Sequence, residues 1–153
     1  MTLAVEALAL TAAGPSLAAS SLLISFTNLH PPEASSSEAV GTSGSQQVGY
    51  AFWTNDNPHA ALWLGSAGSA VNLNPAGAKS SWAGGASGSQ QVGSAMMGTN
   101  FSHAACWSGT AASFLDLHPP GARGSEASGT TGSQQVGLVV WPSNALHAAL
   151  WFG

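Results

Sequence analysis

Three histidines, His59, His103 and His147, recur at a constant step of 44 residues, each followed four positions later by a tryptophan, Trp63, Trp107 and Trp151. Two chemistries suit that set. Three imidazoles meeting on a pseudo-threefold axis would satisfy zinc, which takes nitrogen ligands readily. Indoles beside His, Asn and Asp would stack on sugars and bond their hydroxyls. Each has a structural counterpart. A Trp is a large apolar group that fills space between packed units, and a His at a strand start can bond to local backbone. Asp56, Asn100 and Asn144 stand three residues before each His and suit a turn that fixes such a contact. Equivalent residues would also lie far apart in a wide ring, so no metal site is expected. The six residues are retained as candidate ligand-binding positions. His30 and His118 align with Asn74 and form no complete set.

Catalytic signals are missing. The carboxylates are Glu6, Glu33, Glu38, Asp56, Asp116 and Glu126, and none recurs as a carboxylate in all three copies. No pair can be assigned acid and base roles from spacing. There is no phosphate-cradling glycine loop, nucleophile elbow or zinc-protease helix. The expectation is a chain with no catalytic residues and no cofactor.

The elements that must position these residues are copies of one unit. Gly44-Ser45-Gln46-Gln47-Val48-Gly49 returns at 88–93 and 132–137, the His-to-Trp segment returns at 103–107 and 147–151, and Leu29-His30-Pro31-Pro32 returns at 73–76 and 117–120. No insertion breaks the step. Such a period marks a repeat architecture, whose units bury their apolar faces only against one another.

Inside each unit the pattern is strand-like. Gln47 to Trp53 carries Val48, Tyr50 and Phe52 at period two, and His59 to Leu64 is a short apolar run closed by Gly65. Ala70 to Asn74 stops at Pro75, and Ser36 to Thr42 is a weaker fourth segment. Gly44 and its copies sit where a hairpin turn belongs. Only residues 3–13 offer a run that suits a helix. The fold class is therefore all-β: three four-stranded antiparallel units at about 22–65, 66–109 and 110–153, twelve strands in total. Propeller-like blades are the leading arrangement and a β-trefoil the alternative. Propellers usually have at least four blades, so a longer array, or a homo-oligomer, would be needed to complete a ring. Of the paired glutamines, one is expected to face solvent and the other to bond to backbone of the adjoining unit.

Charge bounds the partners. Asp, Glu, Lys and Arg make up 5% of the chain, against roughly 25% in an average protein. Lys79 and Arg123 are its two cations, too few to displace phosphate counterions, so no nucleic-acid partner is expected. A protein or glycan surface is the expected partner. No stretch approaches the ~20 apolar residues of a transmembrane helix. Residues 1–21 form an N-terminal extension with a signal-like apolar run, although Glu6 interrupts it and no cation precedes it. Cys106 stands alone, in the place of Leu62 and Leu150, and reads as a small core residue.

His-Ala-Ala-Leu-Trp-x-Gly with Gly-x-Gln-Gln-Val-Gly resembles bacterial extracellular repeats of the HAF type, over about residues 22–153. Ala61, Ala105 and Ala149 replace that family's Phe, and Leu-His-Pro-Pro stands where a Leu-Gly-Gly element is typical, so the resemblance is to a divergent subfamily. It implies β-propeller-like blades in a secreted or cell-surface protein and brings no catalytic residues. A non-catalytic extracellular module for surface or protein contacts is the leading functional expectation. A carbohydrate-binding module is the alternative, and a fragment of a propeller enzyme the minor one.

Overall fold

A computed structural model describes residues 24–53, 56–98 and 100–153. The N-terminal extension of residues 1–21, with its helical or signal-like reading, lies outside them. Among the described residues eleven strands form three antiparallel sheets. The first holds β1 (Ser36–Ser43), β2 (Gln46–Phe52), β3 (His59–Trp63) and β4 (Val71–Asn72) in that order. The second repeats it with β5 (Ala78–Ser87), β6 (Gln90–Met97), β7 (His103–Trp107) and β8 (Leu115–Asp116). The third has three strands, β9 (Gly124–Thr130), β10 (Gln134–Val140) and β11 (Leu146–Phe152), with β11 at its outer edge.

Each sheet is a meander of consecutive strands, running 36–72, 78–116 and 124–152. A unit counted from residue 22 therefore opens with a segment that joins no sheet of its own. Between 24 and 35 only Ser25 forms a bridge. The expected run Ala70 to Asn74 shrinks to two paired residues, because a 3-10 turn at Ala67–Ser69 uses the residues before it. The β-trefoil alternative does not hold. A trefoil pairs strands that lie far apart in the chain, whereas every strand pair here joins strands consecutive in sequence. The three sheets stack in chain order, and no strand of the first pairs with a strand of the third.

Local rules explain the units. The β1–β2 and β5–β6 connections are two-residue turns whose first residues, Gly44 and Gly88, have φ of 57° and 58°, a conformation that costs a side chain more than it costs glycine. One residue then bulges from the first strand of every sheet, at Val40, Gly84 and Ser128. Opposite the bulge sits Gly49, Gly93 or Gly137. A Cβ there would lie 1.9, 1.8 or 1.9 Å from the carbonyl oxygen of Glu38, Trp82 or Glu126. The recurring glycine is thus required by backbone approach.

The core lies between the sheets. Val48, Ala60 and Leu62 on one face of the first sheet share a cluster with Ala83, Ala95, Ala105 and Trp107 of the second. Val92, Ala104 and Cys106 on the second sheet repeat the contact with Ala127 and Trp151 of the third. Alanine on both sides lets the sheets come close, and Trp107 and Trp151 fill the remaining volume, while Trp63 packs against Leu29, Ala34 and Trp53. A buried Trp removes roughly 150–250 Å² from water, on the order of 4–6 kcal/mol of gross hydrophobic stabilisation. Trp63 and Trp107 are 0% exposed and their indole N–H groups have no hydrogen-bond partner. An unpaired N–H costs about 1–3 kcal/mol, so apolar burial wins at both positions.

Candidate functional site

Two of the three recurring histidines, His59 and His103, are held by the fourth strand of their own sheet. His59 Nδ1 lies 3.0 Å from Asn72 Nδ2. Asn72 Oδ1 accepts the Asn74 amide at 2.8 Å, which fixes the side-chain amide with its nitrogen toward the ring. His59 Nδ1 is therefore an acceptor and its proton sits on Nε2. Burial lowers the pKa of His59 from its ordinary value, and the neutral ring is the form that this contact requires.

In the second sheet Asp116 replaces Asn72. Its Oδ1 accepts the His118 amide at 2.8 Å and its Oδ2 lies 2.9 Å from His103 Nδ1. Facing a carboxylate, His103 Nδ1 must donate. One exchange of Asn for Asp thus reverses the tautomer at equivalent histidines. His103 also stacks on His118, with ring centroids 3.9 Å apart and planes at 8°. His147 is exposed and sits edge-on to Trp141 at 6.3 Å. The turn residues ahead of the histidines do not anchor them. Asn144 adopts a left-handed φ of 64° and accepts a bond from the Arg123 guanidinium. Among the described residues no three His, Cys, Asp or Glu side chains are grouped to hold a metal ion.

A serine node lies beside these rings. The Ala104 amide donates to Ser125 Oγ at 2.8 Å, Ser125 Oγ lies 2.8 Å from His118 Nδ1, and His118 Nε2 lies 3.2 Å from the Ala122 carbonyl. Nε2–H must donate to that carbonyl, so Nδ1 accepts the serine hydroxyl. Ser, His and Asp are the residue types of acyl-transfer enzymes, but this serine is 2% exposed and its oxygen already accepts a backbone N–H. The preceding repeat builds the same node without imidazole. Ala60 N–H donates to Ser81 Oγ at 2.9 Å, Ser81 Oγ donates to Asn74 Oδ1 at 2.6 Å, and Asn74 Nδ2 donates to the Ala78 carbonyl at 3.1 Å. Asn is no general base, yet the geometry is the same. The node braces one sheet against the next.

The paired glutamines form a second brace, and here both members are used. Gln91 Nε2 donates to Gln46 Oε1 at 2.8 Å, and Gln135 Nε2 donates to Gln90 Oε1 at 3.0 Å. The same residue binds its own repeat, since Gln47 and Gln91 accept the amides of Gly65 and Gly109 at 2.9 and 2.7 Å. The sequence marks the pair but not the link between repeats, which joins positions 45 apart.

The six candidate ligand residues do not converge. Trp63 and Trp107 are interior, while His147 and the partly buried Trp151 line one open cleft of about 520 Å³ with Asp116, His118 and Trp141. A second cleft, of about 420 Å³, draws its lining from all three sheets and includes Val40, Tyr50, Trp82, Ser94, Ser102 and Glu126. Tyr50 Oη lies 2.5 Å from Glu38 Oε2. That hydrogen bond, with burial and the Glu38 charge, holds the tyrosine pKa above its ordinary value. The signal for this cleft was the alignment of Glu38, Trp82 and Glu126, in which the middle repeat swaps a carboxylate for an indole. No protein-family model, curated protein or solved structure matches this chain.

Proposed function

We propose that this chain is a non-catalytic interaction module, built from blade-like sheets of the extracellular HAF-like kind and working at a cell surface or in the medium. The observation that carries the reading is the use made of the recurring polar residues. Gln91, Ser81, Ser125, His59 and His103 spend their side chains on bonds within and between the sheets. What is left for a partner is surface between and beyond the sheets.

The test is fractionation of the native host with an antibody to the chain, followed by cross-linking on intact cells. Recovery from the medium or cell surface, with a discrete cross-linked partner, supports the reading. Recovery from the cytosol alone, or turnover of ester, peptide or glycoside substrates by the purified chain, would sink it.

A second reading is favoured by the cleft at Tyr50, Trp82 and Glu126. Two aromatic rings and a carboxylate in a nearly uncharged surface suit a sugar, whose apolar face stacks while its hydroxyls donate. A glycan array decides it. Binding that disappears in Trp82→Ala and quenches tryptophan fluorescence supports it, and a silent array removes it.

A further inference from the structure

The two sheet-to-sheet junctions define one interface, and among the described residues both of its halves also stand open, one on the third sheet and one on the first. On the covered side, Val48, Ala60 and Leu62 are 0, 0 and 4% exposed, and Val92, Ala104 and Cys106 are 0, 0 and 6%. The equivalent face of the third sheet is open, with Val136 and Leu150 both 49% exposed and Leu146 67%. Its polar fittings are open too. Ala148 holds the position at which Ala60 and Ala104 donate to a serine of the next sheet. Leu146 holds the position at which the carbonyls of Pro58 and Ser102 accept the amides of Ser81 and Ser125. Gln134, exposed, holds the position at which Gln46 and Gln90 receive the next glutamine. The edge strand β11 has no fourth strand beside it, whereas β3 and β7 are covered by β4 and β8.

The complementary half lies at the other end of the chain. Ser37 and Gln47 are the equivalents of Ser81 and Gln91, and Ala39, the equivalent of the 1% exposed Ala83, is exposed. Residues 27 and 28 align with Val71 and Asn72, yet belong to no sheet, and their neighbours Ile24 and Phe26 are 66 and 62% exposed. Leu29 already packs against Trp63, as Leu73 shares a cluster with Trp107.

We infer that the open face and edge of the third sheet dock the first sheet of a second copy of this chain, head to tail. In that contact residues 27–28 of one copy add to β11 of the other as its fourth strand. Ser37 meets the Ala148 amide and the Leu146 carbonyl, and Gln47 meets Gln134. The contact is heterologous, so it propagates to a ring or a filament according to its rotation. This deepens the interaction reading by naming a partner, and it is tested without any foreign ligand, so its failure leaves binding to other molecules standing.

Sedimentation velocity of the full chain from low to several hundred micromolar reads the outcome. The wild type should shift to multiples of the monomer mass as concentration rises. Leu150→Glu blocks the tail and Ala39→Glu blocks the head, both at positions exposed enough to leave the fold intact. Each variant alone should stay monomeric, and an equimolar mixture should form one heterodimer and nothing larger. If either variant loses its β circular dichroism, Leu146→Lys or Ala39→Lys takes its place. Three results overturn the inference: a wild type that stays monomeric throughout, a mixture that fails to pair, or self-association of Ala39→Glu alone, which would mean tail-to-tail contact.

Discussion

Gln91 donates from Nε2 to Gln46 Oε1 at 2.8 Å across the junction of the first two sheets, while its own Oε1 accepts the Gly109 amide at 2.7 Å. Gln91 is 0% exposed, so both bonds replace water that cannot return. Truncation leaves the half-buried Gly109 amide and the Gln46 side-chain carbonyl without this partner, at up to about 1–3 kcal/mol for each unsatisfied group. We expect Gln91→Ala to lower the unfolding free energy by about 2–4 kcal/mol and Gln46→Ala, whose side chain is nearer solvent, by about 1 kcal/mol. Urea denaturation measures both. Equal losses would show that the buried amide has no special role.

Asn74 and His118 hold the same node with different chemistry. Each places an acceptor against the serine hydroxyl and a nitrogen donor against a carbonyl four residues ahead. Asn74→His should therefore change stability by less than about 1 kcal/mol, whereas Asn74→Ala should cost about 1–3 kcal/mol by stranding Ser81 Oγ. Thermal melts of the two variants against wild type check this. A His variant as damaged as the Ala variant would mean that ring size, not bonding, limits the site.

The repeat was legible because its glycines, prolines and apolar alternation act locally. The hairpin at Gly44 and the strand from Gln46 need only short-range rules. The frame was harder to see. Two residues, Val71 and Asn72, suffice to close the first sheet, and a pair that short carries no periodicity. The site was less legible still. His59 and His103 open the same His-Ala-Ala segment, and their opposite tautomers depend on whether residue 72 or 116 is an amide or an acid, thirteen positions away. The burial of Trp107 follows from stacking of the second sheet on the first, which a single unit does not encode, whereas Trp63 is covered by Leu29, Ala34, Trp53 and Ala70.

Gly93 faces the bulge in the second sheet. A methyl group there would stand 1.8 Å from the Trp82 carbonyl oxygen and 2.8 Å from the Ala83 Cα. Both are backbone atoms in the middle of a paired strand, so neither can swing away. Gly93→Ala should leave little soluble folded protein. Gly68→Ala, with nothing within 4 Å of its new methyl, should match wild type within about 0.5 kcal/mol. Soluble yield and circular dichroism compare them, and a well-folded Gly93→Ala would show that the bulge can be given up.

His59 gives the chain a pH dependence whose sign follows from its surroundings. Burial lowers its pKa in the folded state, and Asn72 Nδ2 points at a ring nitrogen that must keep its lone pair. The unfolded chain has the ordinary value of about 6.5. Above that pH neither state binds the proton and the contribution is fully present. As pH falls below it, the unfolded state takes up a proton first, so stability is lost until the folded-state value is passed. Unfolding in urea at pH 7.5 and pH 5.5 should therefore show a lower midpoint at the acid pH. His59→Gln should remove that part of the difference. Asn72→Asp converts the contact to the one that His103 makes, turning Nδ1 from acceptor to donor, and should raise the His59 titration midpoint in NMR. A midpoint for wild-type His59 at or above 6.5 would refute the burial effect and the pH dependence built on it, and one that Asn72→Asp leaves in place would refute the assigned tautomer.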